Sequence, residues 1–83
     1  MYLITGCAGF IGFHMSNYLI SQNYKVVGVD SLNQYYSKNY KLARLKILKK
    51  NKNFKFYKID LSNNQQIKKL LEEKKIKYII HLA

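Results

Sequence analysis

Three glycines at every third position, Gly6, Gly9 and Gly12, form the segment of this sequence best suited to chemistry. They lie in Thr-Gly-Cys-Ala-Gly-Phe-Ile-Gly (5–12), directly after a short apolar run and before a helix-like stretch. In such a segment the first glycine permits a tight turn, the second lets backbone approach a pyrophosphate, and the third lets the helix pack closely on a sheet. The helix N-terminus adds unpaired N–H groups and a partial positive charge. The pattern favours dinucleotide binding over a purely structural turn.

Asp30 ends a second apolar run, 24 positions after Gly6. A carboxylate at about this spacing is placed to accept hydrogen bonds from the adenosine ribose hydroxyls, and it would repel a 2′-phosphate. The next residue is Ser31 rather than Arg, so nothing adjacent in the sequence would bind that phosphate. Asp30 therefore predicts NAD over NADP. The alternative is an ordinary solvated aspartate in a turn.

Asp60, followed by Leu61, stands at the end of a third predicted strand, 54–59. Ligands of open parallel sheets bind outside the carboxyl ends of the strands, so Asp60 could receive the adenine amino group. Equally, it could cap the following helix or stabilise a turn. The spacing leaves both interpretations open.

The other reactive side chains have structural interpretations. We interpret Cys7 as a small filler in the glycine-rich turn, since no base stands in a clear relation to it. His14 and His81 do not combine with Cys or acidic residues in a metal-binding pattern. Tyr35 and Tyr36 are interpreted as loop packing. We therefore predict no catalytic residue and no metal site in 1–83.

These residues need a scaffold, and the apolar pattern predicts the element order β-α-β-α-β-α-β. Strands are predicted at 2–5, 25–30, 54–59 and 77–82, and strands joined by helical crossovers run parallel. The first helix is predicted to follow the glycines and to end near Asn23. The second is predicted to cover 38–50, and the third to begin after Ser62 or Asn63. The apolar residues expected to face the core at helical spacing are Ile11, Met15, Tyr18, Leu19, Leu42, Leu45, Leu48, Ile67, Leu70 and Leu71. The strand order 3-2-1-4 would leave the fourth strand as an uncovered apolar edge.

The net charge is +11, with 15 basic residues against four acidic ones. All but one of the basic residues are lysines, spread over 25–77, and arginine, which makes bidentate contacts to bases and phosphates, occurs once. We interpret this charge as a compositional bias, with Lys41, Lys46 and Lys49 on a solvated face, rather than as a sign of a nucleic-acid or membrane partner. A single cysteine cannot form an internal disulfide, which fits the cytoplasm. We expect no signal peptide and no membrane span.

Taken together, the motifs resemble those of extended short-chain dehydrogenases/reductases, the nucleotide-sugar epimerases and dehydratases. The glycine segment is similar to their Gly-x-x-Gly-x-x-Gly signature, and residues 30–33 are similar to their Asp-Asn-Leu-Asn pattern. Residues 60–61 match their Asp-Leu, and residues 81–83 resemble their His-Leu-Ala-Ala. Asp-x-Leu-Asn-x-Tyr-Tyr at 30–36, followed by Ala43-Arg44-Leu45, looks most like the UDP-glucuronate 4-epimerases. Ser31 departs from their usual Asn.

The resemblance implies that 1–83 is the N-terminal half of a doubly wound α/β Rossmann domain that binds NAD. The implied cofactor-binding residues are Gly6, Gly9, Phe10, Ile11, Gly12, Asp30, Ser31, Asn33, Asp60, Leu61, Leu82 and Ala83. The full-length protein would be a homodimer that oxidises a UDP-sugar transiently at C4. The family's catalytic Tyr-x-x-x-Lys is not in this sequence, so the catalytic and substrate-binding parts are expected to be absent and this segment inactive alone. The alternatives are a 4,6-dehydratase or reductase, a non-catalytic NAD-binding module and a basic nucleic-acid-binding protein.

Overall fold

Four strands alternate with three helices in the computed structural model, which describes residues 1–32 and 38–83, and of Lys38 the backbone alone. The elements, in chain order, are β1 (Tyr2–Thr5), α1 (Phe10–Ser21), β2 (Val26–Asp30), α2 (Lys38–Lys49), β3 (Phe54–Lys58), α3 (Asn64–Glu73) and β4 (Tyr78–His81). The predicted order is confirmed, with each strand boundary within one residue of its expected position. Asn33, Tyr35 and Tyr36 lie outside the described residues.

The strands form one parallel sheet in the order β3-β2-β1-β4. This confirms the predicted doubly wound arrangement. Apolar side chains cover both faces of the sheet: Leu19 of α1 and Leu45 of α2 pack with one cluster, and Leu70 of α3 packs with the other. Adjacent residues of β1, Leu3 and Ile4, join opposite clusters, which explains why the sequence of β1 is apolar without alternation.

The predicted inner face of α1 is wrong except for Leu19. Ile11 and Tyr18 are 64% and 61% exposed, and Met15 is also at the surface, whereas α1 buries Gly12, Ser16, Leu19 and Ile20. The reason is that the apolar residues of α1 lie on all sides of the helix, so their periodicity does not identify the buried face. Small side chains selected it instead, because they let the helix approach the sheet closely.

The apolar faces predicted for α2 and α3 are partly confirmed. Leu45, Leu48 and Leu70 are buried, but Leu42 and Leu71 are exposed.

The ends of the helices follow local sequence signals. Asn63, one of the two predicted caps of α3, accepts a hydrogen bond on its side-chain oxygen from the Gln66 amide at 3.1 Å. Asn23 follows the C-terminus of α1 with φ 68°, in the left-handed region that asparagine tolerates.

β4 lies at an edge of the sheet with half-exposed apolar side chains, as predicted. Tyr78 and Ile79 are 57% and 56% exposed. None of the helices within 1–32 and 38–83 has the length and apolar character needed to cross a membrane.

Gly12 marks the closest contact between α1 and the glycine-rich turn. A Cβ added there would clash with the Gly6 carbonyl oxygen and lie 2.8 Å from the Gly6 carbonyl carbon and 2.9 Å from the Cys7 Cα. Because these are backbone atoms, they cannot move aside without shifting the turn.

We therefore expect Gly12→Ala to lower the free energy of unfolding by about 3 kcal/mol or more, as in severe overpacking. Chemical denaturation followed by circular dichroism measures it. Asn17→Ala, at an exposed position of the same helix, is the control and should change stability by less than about 0.5 kcal/mol. Equal stability of the Gly12→Ala protein and the wild type would contradict this packing.

Candidate cofactor-binding site

A cavity of about 460 Å³ opens at the carboxyl ends of the strands, beside the glycine-rich turn. Its lining residues are Gly6, Gly9, Phe10, Val29, Asp30, Ser31, Lys41, Arg44, Ile59, Asp60, Leu61, Leu82 and Ala83. The tertiary structure thus brings together the ends of β1, β2, β3 and β4. This is the edge where ligands of open parallel sheets bind.

The glycine-rich turn folds tightly because Gly6 adopts φ +70°, a conformation that favours glycine. Its amide donates to the Val29 carbonyl at 2.8 Å, which ties the turn to β2. A Cβ on Gly6 would stand 3.0 Å from backbone atoms of Leu82 and Ala83. The residues that follow β4 therefore lie directly against the turn.

Gly9 is the N-cap of α1 and has an ordinary extended backbone, with φ −71° and ψ 172°. Its conformation does not require glycine. An added Cβ would have one near neighbour within the described residues, the Gly6 carbonyl oxygen at 3.3 Å. Since Gly9 also lines the cavity, its missing side chain leaves space there for a ligand to reach the backbone.

Asp30 is buried, with 5% of its surface exposed, so it is not a solvated turn aspartate. Its Oδ1 accepts hydrogen bonds from the Leu32 amide at 2.9 Å and the Lys41 Nζ at 3.0 Å. Its Oδ2 accepts from the Ala8 amide in the glycine-rich turn at 3.1 Å. The carboxylate therefore connects β2, α2 and the turn.

The prediction that Lys41 belongs to a solvated face is wrong, because Lys41 is buried and paired with Asp30. The exposure predicted for Lys46 and Lys49 is confirmed. Lys41 precedes the buried Leu45 by one helical turn, so both side chains lie on the face of α2 that meets the rest of the protein.

Arg44 is a second cation that sequence reasoning did not place in the site. Its Nη1 donates to the Ala8 carbonyl at 3.0 Å, and its side chain lines the cavity. The three-residue spacing of Lys41 and Arg44, which puts them on one side of a helix, was the signal available in the sequence.

Asp60 is exposed and stabilises the turn after β3. Its Oδ1 accepts from the Ser62 amide and hydroxyl, both at 2.9 Å, and these hydrogen bonds hold the pKa of the carboxyl below its usual value. The turn interpretation is thus confirmed, and the cap of α3 is Asn63. Asp60 also lines the cavity, so its contact with adenine stays a prediction.

Thr5 joins the carboxyl ends of β1 and β4. Its Oγ1 lies 2.7 Å from His81 Nδ1 and accepts a hydrogen bond from the Leu82 amide at 3.0 Å. His81 therefore has the structural role expected of it, and Thr5 fixes the residues that close one side of the cavity.

Of the remaining predicted cofactor-binding residues, Ile11 and Gly12 do not line the cavity, and Asn33 lies outside the described residues. Ile11 points to the surface, and Gly12 acts through the packing of α1. Among the described residues, no group of three or more His, Cys, Asp or Glu side chains could hold a metal ion.

Cys7 is fully buried in the glycine-rich turn. Burial, reinforced by the nearby negative charge of Asp30, raises the pKa of its thiol from 9.0 to about 12. A thiol that stays protonated at neutral pH is a poor nucleophile, which agrees with its interpretation as a filler.

Comparison with known proteins identifies the family. The family model described as GDP-mannose 4,6-dehydratase matches residues 3–83. The chain belongs to this family. The resemblance to nucleotide-sugar epimerases and dehydratases is thereby confirmed.

Relatives within the family include both kinds of enzyme. The chain is 48% identical over 82 residues to UDP-glucuronate 4-epimerase of Thermodesulfobacterium geofontis, covering 99% of this chain and 25% of that protein. It is 40% identical over 83 residues to dTDP-D-glucose 4,6-dehydratase of Dictyostelium discoideum, covering 98% of this chain and 18% of that protein.

Among solved structures, UDP-glucuronic acid 4-epimerase from Bacillus cereus, in complex with UDP-glucuronic acid and NAD, superimposes with a TM-score of 0.86 at 35% identity. That similarity covers 99% of this chain and 26% of the epimerase. The chain thus spans about a quarter of the length of the two epimerases it matches.

The buried position of Cys7 predicts slow reaction with thiol reagents. At pH 8, we expect 5,5′-dithiobis(2-nitrobenzoate) to modify the folded protein at least about tenfold more slowly than protein unfolded in guanidinium chloride, because attack requires the thiolate and access to it. Absorbance of the released thionitrobenzoate follows both reactions. Equal rates in the two states would contradict the burial.

The Lys41–Asp30 pair predicts a large loss of stability when one partner is removed. Lys41→Met keeps the length of the side chain but leaves a buried carboxylate without its counter-ion, at a cost of about 3 kcal/mol in the free energy of unfolding. The matched control, Lys46→Met, changes an exposed lysine of the same helix and should cost less than about 0.5 kcal/mol. Urea denaturation compares them, and similar values for both variants would show that the pair contributes little.

Proposed function

We propose that residues 1–83 form the adenosine- and diphosphate-binding part of the NAD site in a UDP-sugar 4-epimerase that acts on UDP-glucuronate or a closely related sugar. The observation that carries the proposal is the cavity, in which the glycine-rich turn, the N-terminus of α1 and Asp30 face one space. The Bacillus cereus epimerase, which is similar over nearly the whole chain, was crystallised with NAD.

The residues present fit the adenosine and diphosphate parts of this cofactor. The backbone at Gly9 and the first turn of α1 would receive the diphosphate, because unpaired amides at a helix N-terminus bind anions. A carboxylate has about four lone-pair sites, and described residues use three of those on Asp30. Asp30 also lines the cavity, where a carboxylate is suited to accept hydrogen bonds from the ribose hydroxyls.

In this proposal, catalysis and sugar binding belong to residues outside 1–83. When bound, NAD would supply reversible hydride-transfer chemistry at sugar C4. The residues of this chain bind and orient the adenosine half, and the proposal includes a homodimeric full-length protein in the cytoplasm. The single, unpaired Cys7 supports a reducing compartment.

A 4,6-dehydratase is the second candidate. The family description and the Dictyostelium discoideum relative both name this activity. Epimerase is favoured because the Thermodesulfobacterium geofontis relative, at 48% identity, is an epimerase, as is the Bacillus cereus structure.

The proposal is tested with the natural protein that carries this segment. UDP-glucuronate is incubated with it, and proton NMR follows the sugar. Formation of the C4 epimer supports the proposal. Conversion of dTDP-glucose to a 4-keto-6-deoxy sugar instead would assign the dehydratase function, and lack of NAD binding in calorimetry would overturn both.

Gly9 provides a sharper test of the cofactor site. Gly9→Val should fold, because its backbone conformation suits any residue and the 3.3 Å contact of an added Cβ with the Gly6 carbonyl oxygen requires a shift of only a few tenths of an ångström. Its side chain would, however, fill the space for the diphosphate. We expect NAD affinity to fall by more than about a hundredfold, equivalent to about 2.8 kcal/mol.

Isothermal titration calorimetry measures the affinity, and circular dichroism checks the fold. Asn17→Val places the same side chain at an exposed position of α1 that does not line the cavity, and it should retain wild-type NAD affinity. NAD binding unchanged in folded Gly9→Val would place the diphosphate elsewhere.

A further inference from the structure

We propose that Lys41 and Arg44 form a latent binding site for the 2′-phosphate of NADP, which Asp30 keeps closed. In this arrangement Asp30 selects NAD, and its removal admits NADP. The inference rests on the proposed function, because it assumes that the adenosine ribose lies beside Asp30.

The charge beside the ribose differs from that of an isolated aspartate. Lys41 Nζ lies 3.0 Å from Asp30 Oδ1, and the lysine side chain is 11% exposed. The buried pair therefore has no net charge, and the ammonium group is already present where a 2′-phosphate would lie. Asp30 excludes the phosphate mainly by occupying that place and holding the ammonium group.

Arg44 brings a second cation to the same cavity. Its guanidinium donates to the Ala8 carbonyl at 3.0 Å, while the Ala8 amide donates to Asp30 at 3.1 Å. The guanidinium and the carboxylate thus bind the two backbone groups of one residue, and both residues line the cavity. A guanidinium has five N–H donors, and its remaining donors suit phosphate oxygens in the cavity.

The placement of these two cations is specific within α2. Lys46 and Lys49 belong to the same helix but are exposed and line a different groove, with Leu42 and Lys50. Of the described lysines and arginine, only Lys41 and Arg44 line the candidate site. The high lysine content of the chain therefore does not account for the pair.

This arrangement changes what was expected from the sequence. The residue after Asp30 is Ser31, which suggested that an arginine would have to be introduced there to bind NADP. The structure supplies the cations from α2 instead. A single substitution, Asp30→Ala, would remove the carboxylate, open space for the phosphate and release Lys41.

The test measures dissociation constants of NAD and NADP by calorimetry in the natural protein that carries this segment. We expect Asp30→Ala to bind NADP about tenfold or more tightly than wild type does, the scale of one hydrogen bond to a charged group, and to bind NAD about tenfold more weakly. Adding Lys41→Met to Asp30→Ala should abolish the gain for NADP. Adding Lys46→Met instead, as the matched control, should retain it.

The outcomes separate the two proposals. Wild-type protein that binds neither dinucleotide would overturn the proposed function. Wild-type protein that binds NAD, with an Asp30→Ala variant that gains no NADP affinity or keeps the gain after Lys41→Met, would overturn the latent site alone. Asp30→Ser, which also removes the carboxylate and makes space but keeps a hydroxyl for the backbone amides, is made in parallel and judged by the same Lys41 dependence if circular dichroism shows that Asp30→Ala does not fold.

Discussion

The buried carboxylate of Asp30 joins the glycine-rich turn and α2 to the end of β2. It accepts hydrogen bonds from the Ala8 amide in the glycine-rich turn, from Leu32 just after β2, and from Lys41 on α2. Hydrogen bonds that involve an ionised partner are stronger than neutral ones. The carboxylate thus holds the turn against α2, and the cavity has its shape because these parts are fixed together.

Close packing of small residues supplies the second constraint. Gly12 brings α1 against the Gly6 backbone, and a Cβ on Gly28 would lie 2.7 Å from the Cys7 Sγ and from the Phe54 ring. These contacts bring the glycine-rich turn down onto the sheet. The cavity forms beside β1, where the direction of strand addition reverses. β2 and β3 lie on one side of β1, and β4 lies on the other. Such reversal points are where open parallel sheets bind ligands.

The cationic side chains of this protein fall into two groups. Most of the net charge of +11 comes from lysines spread along the chain, and this affects solubility and non-specific association. Lys41 and Arg44 differ because the fold gives them partners, the Asp30 carboxylate and the Ala8 carbonyl. Composition cannot distinguish these classes, since the distinction depends on which face of α2 meets the turn.

The sequence by itself determined the element order, the parallel sheet and the position of the glycine-rich turn, because these follow from local apolar runs and from glycine's conformational freedom. It also placed Asp30 and Asp60 at the correct edge of the sheet. The buried face of α1 and the partner of Asp30 were decided by the tertiary structure. The apolar residues of α1 lie on all sides of the helix, so close packing at Gly12 and Ser16 determines which face is buried. Lys41 contacts Asp30 because α2 packs beside the end of β2, and a local sequence pattern does not contain this information.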